Sequence, residues 1–206
     1  MVIFHPKTQK EHLVIGIAGT LEGLGVTHLC IALANYLASK KRKKTACLEL
    51  SNSSAFSQLR EYGMPALLPV KTSAHRSFQI YDVDYYPNVQ KAELPALINT
   101  GYEVLILDFG LLHTDCLDEL YRCDKKFILC SVAPWKQQDM FSRLTLYPQI
   151  KKMEYLFYMI AYGTRQDVCE IAKKLAVSRN QLHAVPFLQN PFHIEQEQFS
   201  FFEKLL

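Results

Sequence analysis

Residues Gly19 to His28 read GTLEGLGVTH, a glycine-rich segment set between the apolar run Leu13 to Ala18 (LVIGIA) and a second run at helical spacing, Leu29 to Leu37 (LCIALANYL). Gly19, Gly23 and Gly25 let backbone N–H groups curl around an anion, and Thr27 offers a hydroxyl of the kind that completes a Mg²⁺ shell. The phosphate-binding pattern G-x-x-x-x-G-K-[ST] also requires a lysine to neutralise β- and γ-phosphate charge. Val26 occupies that place. His28 adds a titratable ring to the loop, although its position equally suits an ordinary residue early in a helix. The chemistry implied is recognition of a phosphate-like anion by backbone dipoles, without the side-chain charge that phosphoryl transfer uses.

Two acids complete the set. Tyr102 to Gly110 (YEVLILDFG) brings Asp108 to the end of an apolar run with Gly110 two residues later, and Thr45 to Leu50 (TACLEL) carries Glu49 just before Ser51. Nucleotide-binding α/β proteins place an acid at such a strand end to hold Mg²⁺, directly or through water. The same residue elsewhere caps a helix or forms a turn. The candidate site is therefore a vestigial nucleotide site of Gly19, Gly23, Gly25, Val26, Thr27, His28, Glu49, Asp108 and Gly110. Thr27 and Asp108 are metal-associated only if a Mg-nucleotide binds, and no residue is assigned a catalytic role.

Positioning these groups requires alternating strands and helices. Strands are expected at Leu13 to Ala18, Thr45 to Leu50, Phe78 to Tyr85, Val104 to Leu107, Phe127 to Ala133 (FILCSVA), Leu156 to Ala161 (LFYMIA) and Leu182 to Phe187. Helices are expected at Leu29 to Leu37, through Leu59 with one of the serines 51, 53 or 54 as cap, at Ala92 to Asn99, at Lys136 to Ile150 and at Gln166 to Leu175. Pro65 and Pro69 mark an irregular connection. The near-continuous apolar strands are those of a sheet covered on both faces. The fold class expected is α/β, a doubly wound, mostly parallel sheet with helices on both faces, in which a glycine turn after the first strand presents a helix N-terminus to an anion.

The chain has 206 residues, 49% apolar and 21% charged, enough for one buried core, and is read as a single domain over residues 1–206. A formal charge of +3 is too mild to demand a nucleic-acid or membrane partner. Six dispersed cysteines with no C-x-x-C pair read as reduced, mostly buried cytosolic thiols. No apolar run approaches the roughly 18 residues that a membrane-spanning helix needs.

With three segments in order, the chain resembles the ParA/MinD group of deviant phosphate-loop ATPases over nearly its whole length. Their loop reads K-G-G-x-G-K-[ST]-T, their second strand ends in a D-x-D-like segment, and a later strand ends in an aspartate. Here the loop segment is Leu21-Glu22-Gly23-Leu24-Gly25-Val26-Thr27-His28. The signature lysine that reaches across the dimer becomes Leu21, and the phosphate lysine becomes Val26. Glu49-Leu50-Ser51 keeps one carboxylate, and Asp108 matches the metal-associated aspartate. The resemblance implies a bacterial, cytoplasmic protein that forms homodimers, binds protein partners, and holds either no cofactor or weakly bound Mg-ATP or Mg-ADP. Loss of both lysines implies a catalytically silent member. Degenerate loops occur in the TadZ/CpaE-like branch of tight-adherence pilus loci, which points to a polar or membrane-proximal scaffold in pilus or secretion-machinery assembly.

Two alternatives remain open at this point. A working ATPase would need a cation from elsewhere, with Lys71, Arg76 and Lys136 as candidates; Trp135 and Lys136 follow an apolar strand at its carboxyl end, where ligands bind in such sheets. Nucleic-acid or membrane-surface binding would use Lys40, Lys41, Arg42, Lys43 and Lys44, which equally suit a solvated loop at a helix C-terminus. The segment Glu195 to Leu206 has helical spacing but too many glutamates for a basic interfacial helix, and docking on its own domain or a partner is expected. His113, Asp115 and Cys116 read as turn and helix-start residues rather than a metal site.

Overall fold

The structure, a computed structural model, describes residues 12–62, 70–72 and 76–206. Apolar side chains divide between the two faces of each central strand. In β1 (Leu13–Gly19), Ile15 and Ile17 join one buried cluster and Ala18 the other. In β6 (Val104–Leu111), Val104 and Ile106 face the first cluster while Leu105, Leu107 and Phe109 face the second. In β7 (Lys125–Ser131), Phe127 and Leu129 alternate in the same way with Ile128 and Cys130. A strand apolar on both sides must be covered twice. The first face is covered by α1 (Val26–Ser39), α2 (Ala55–Tyr62) and α7 (Phe199–Leu205). The second is covered by α3 (Leu94–Ile98), α4 (Leu117–Arg122), α5 (Pro134–Leu146) and α6 (Arg165–Leu175).

The remaining strands are β2 (Thr45–Glu49), β3 (Val70–Thr72), β4 (Phe78–Ile80), β5 (Val83–Tyr86), β8 (Leu156–Ala161) and β9 (Leu182–Val185). The nine described strands lie in the order β3-β4-β5-β2-β6-β1-β7-β8-β9. All neighbours pair in parallel except β3 with β4 and β4 with β5. The chain leaves β1 through α1 on the first face toward β2, and leaves β6 through α4 on the second face toward β7. The loop after β1 thus emerges where crossovers diverge, the place at which such sheets open a crevice.

Three expectations change. The single strand over residues 78–85 is two antiparallel strands joined by a tight turn, with Tyr81 at φ 50°. The buried residues show why: Phe78 and Ile80 are spaced by two, then Val83 and Tyr85, with a step of three across the turn. The helix expected to reach Ile150 ends at Leu146, and Pro148 opens a separate 3₁₀ segment through Lys152. The helix over residues 92–99 is a 3₁₀ turn, Lys91–Glu93, followed by α3. Smaller boundary shifts occur elsewhere: α1 begins at Val26, and β9 ends at Val185, just before a proline. Pro65 and Pro69 lie outside the described residues.

The C-terminal segment docks on its own chain. Phe202, fully buried on α7, stacks on Tyr36 of α1 with ring centroids 4.8 Å apart, and Phe199 lies 5.6 Å from the same ring.

Candidate functional site

Gly25 caps α1 in the left-handed region, φ 87°, a conformation that side chains rarely adopt. Its carbonyl accepts the Leu29 N–H at 2.9 Å, so the helix starts abruptly with the N–H groups of Val26, Thr27 and His28 at its open, dipole-positive end. This end forms one wall of a cleft of about 990 Å³. The other walls are residues 50–53 after β2, residues 88–91 after β5, the end of β6 at Phe109 to Leu111, and His113, Asp115 and Cys116.

Asp108 lies under the cleft rather than at the very end of its strand, because β6 continues to Leu111. The pairing of β1 with β6 skips Phe109: Ile17 opposes Asp108 and Ala18 opposes Gly110. The bulge turns the Asp108 carboxylate toward α1, where Thr27 Oγ1 donates to Oδ2 at 2.6 Å, and the Gly110 N–H donates to Oδ1 at 2.9 Å. Asp108 is fully buried, and burial pushes its carboxyl up to about 6 although both hydrogen bonds oppose the shift; nearby Glu49 reinforces it. Gly110 sits at φ 61°, and a Cβ there would stand 2.7 Å from Ser51 Cβ, so this approach of β6 to the residues after β2 requires glycine.

Glu49, also fully buried, is engaged on every side. Its Oε1 accepts from Ser53 Oγ at 2.8 Å and from the Phe56 N–H at 3.2 Å, and its Oε2 accepts from the Asn88 N–H at 3.2 Å. The carboxylate therefore stabilises the start of α2 and pins the segment after β5. Ser53 Oγ also accepts the Ala55 N–H at 3.3 Å, in the capping role expected for one of the serines.

Val26 is 7% exposed and packs in the first-face core. Its Cγ2 lies 2.8 Å from where a Cβ on Gly19 would stand, so that glycine makes room for it. His28 Nε2 donates to the Leu188 carbonyl at 2.6 Å. Of the candidate residues, Gly23, Gly25, Val26, Thr27, His28 and Gly110 line the cleft, Asp108 and Glu49 lie beneath it, and Gly19 backs Val26.

Of the distal cations, Arg76 and Lys136 are not brought there. Arg76 pairs with Glu93 at 2.5 Å and Lys136 lies outside the lining; Lys71 has no described side chain. The lysine that does line the cleft is Lys91, whose Nζ donates to the Asp115 carbonyl. Its signal in the sequence was its place a few residues beyond the carboxyl end of β5, with no motif beside it to mark it.

The basic run 40–44 is largely engaged. Lys40 lies 4.8 Å over the Phe199 ring, Lys41 is 3.6 Å from Glu203, Lys43 is 3.0 Å from Glu103, and Lys44 lies 4.9 Å over Tyr102. His113, Asp115 and Cys116 form a turn into α4, and among the described residues no group of three or more potential ligands could hold a metal ion. No described helix is long and apolar enough to cross a membrane. Beyond His28, an apolar pocket of about 270 Å³ opens beside Tyr162 and Phe187. These two and Trp135, 73–80% exposed, follow the carboxyl ends of β8, β9 and β7.

No family model matches the chain, and no curated protein matches it. Solved structures do. A plasmid partition protein from Borrelia burgdorferi bound to AMPPNP superposes with a TM-score of 0.65 at 13% identity, covering 95% of this chain and 96% of the other. The Aquifex aeolicus MinC:MinD cell division complex gives a TM-score of 0.56 at 16% identity, over 94% and 86% of the two chains. Cobyrinic acid a,c-diamide synthase from Mycobacterium smegmatis with bound ADP and magnesium gives 0.61 at 12% identity, over 88% and 89%. Together with the parallel sheet, the glycine turn and the acid on the neighbouring strand, these likenesses give the chain the ParA/MinD-like phosphate-loop ATPase fold.

Proposed function

We propose that this chain is a catalytically silent protein of ParA/MinD-like fold that acts through protein partners, as a scaffold or localisation factor in pilus or secretion-machinery assembly. The observation that carries this reading is Val26, an apolar side chain packed into the core at the position of the phosphate lysine. Phosphoryl transfer depends on preorganised positive charge, and loss of one such contact commonly costs about 3 kcal/mol of transition-state stabilisation. Leu21 and Val26 remove two. The capture of the structurally similar MinD with MinC supports a role through protein contacts; a homodimer belongs to the same proposal. The neighbours that hold AMPPNP or ADP with magnesium support a cleft that retains Mg-ATP or Mg-ADP weakly, with Thr27 and Asp108 nearest the metal. The proposed location is cytoplasmic, polar or membrane-proximal through partners.

The test is phosphate release from Mg-ATP by the purified chain, with calorimetry for binding and light scattering for mass. The expected result is turnover indistinguishable from buffer. Mg-dependent turnover that disappears on Asp108→Asn would overturn the silent reading and establish an enzyme.

A further inference from the structure

We propose that Lys91 is the cation of this cleft and that it holds the phosphate groups of the ligand from the segment that follows β5. The inference rests on the reading that a phosphate-bearing anion still enters, and it names the residue on which binding turns. Among the described residues, Lys91 is the one lysine or arginine that lines the cleft. Two acids, Glu22 and Asp115, line it as well, with buried Glu49 and Asp108 beneath. A phosphate ligand entering such surroundings meets net negative charge, so the ammonium group carries an unusually large share of the recognition.

The backbone that delivers Lys91 is held on both sides. Glu49 accepts the Asn88 N–H at 3.2 Å through its carboxylate and the Val89 N–H at 2.7 Å through its carbonyl. Glu93 accepts the Gln90 N–H at 2.7 Å while its other oxygen pairs with Arg76. The side chain then crosses toward residues 113–116 and donates to the Asp115 carbonyl. An ammonium has three N–H donors, so this tether leaves two for phosphate oxygens and holds the charge beside residues 113–116 in advance. Lys91 therefore serves as a positioned cation supplied by a different loop from the one that lost its lysine.

The experiment is calorimetric titration with sodium tripolyphosphate, Mg-ATP and Mg-ADP against the wild-type chain, Lys91→Met, Lys91→Gln, Lys91→Arg and Lys136→Met. Thermal unfolding of each variant checks folding, and Lys91→Gln retains a donor for the Asp115 carbonyl while removing the charge. The wild type is expected to bind tripolyphosphate with an affinity that falls as salt rises, and both neutral variants to bind at least about tenfold more weakly. Lys91→Arg should stay within about threefold and Lys136→Met should match the wild type. Equal binding by wild type and Lys91→Gln, or no wild-type binding at millimolar tripolyphosphate, overturns the assignment while leaving the silent scaffold standing. Wild-type ATP turnover lost in Lys91→Gln would instead overturn catalytic silence and keep Lys91. Mg-ATP bound more tightly than tripolyphosphate marks a nucleotide as the source of the phosphates; the reverse order marks a free polyphosphate.

Discussion

Asp108 carries a cost that the folded chain bears at neutral pH. With its carboxyl raised from 3.8 to about 6 by burial, the folded state binds a proton more readily than the unfolded one. The contribution to stability is therefore fully present below about pH 4 and is lost as pH rises through 6; above that the penalty is on the order of 1–3 kcal/mol. Asp108→Asn removes the ionisation, keeps an oxygen for the Gly110 N–H, and lets the Thr27 hydroxyl accept instead of donate. Urea unfolding at pH 7.5 is expected to show the variant more stable than the wild type, with the difference shrinking toward pH 4. A variant less stable at both pH values would place the ionised carboxylate among the stabilising groups. The glycines, Thr27 and Asp108 were legible because their roles depend on local spacing. The second role of Glu49, bridging α2 and residue 88, was not, since its partners are 4 to 39 residues away.

At the level of elements, the parallel strands were easy to read because burial on both faces leaves unbroken apolar runs. The hairpin of β4 and β5 was hidden by a turn without glycine or proline: Tyr81 and Asp82 lack the usual punctuation. The end of that stretch was still read to within one residue of the end of β5, and Lys91 went unnoticed because no local motif marks it. For α7, spacing indicated a helix, and the partner it packs on became clear only from the stacking of Phe202 on Tyr36. Phe202→Ala should lower stability by about 3–5 kcal/mol, through lost burial and an unfilled space between α7 and α1. Thermal unfolding reads this directly. A loss under about 1 kcal/mol would mean that α7 contributes little to the core.

Across the whole molecule, the order of strands places the loop after β1, the residues after β2 and β5, and the end of β6 along one edge of the sheet. Sequence periodicity locates most strands but contains no information on which lie side by side, so convergence of the loop at 25–27 with Glu49 and Asp108 was readable only through the resemblance, and the arrival of residues 88–91 and 113–116 at the same cleft was not readable at all. Their chemistry was readable residue by residue, whereas the balance of charge in the cleft required the assembled structure.

The same edge carries Trp135, the single tryptophan of the chain, 80% exposed beyond β7. Its indole makes the protein its own optical reporter: emission excited at the tryptophan band comes from one site on the rim. In the free chain that emission should be red-shifted and readily quenched by iodide. Any partner or second copy that covers the carboxyl edge of β7 to β9 should move it to the blue and shield it, while an association through the opposite end of the sheet should leave the spectrum unchanged.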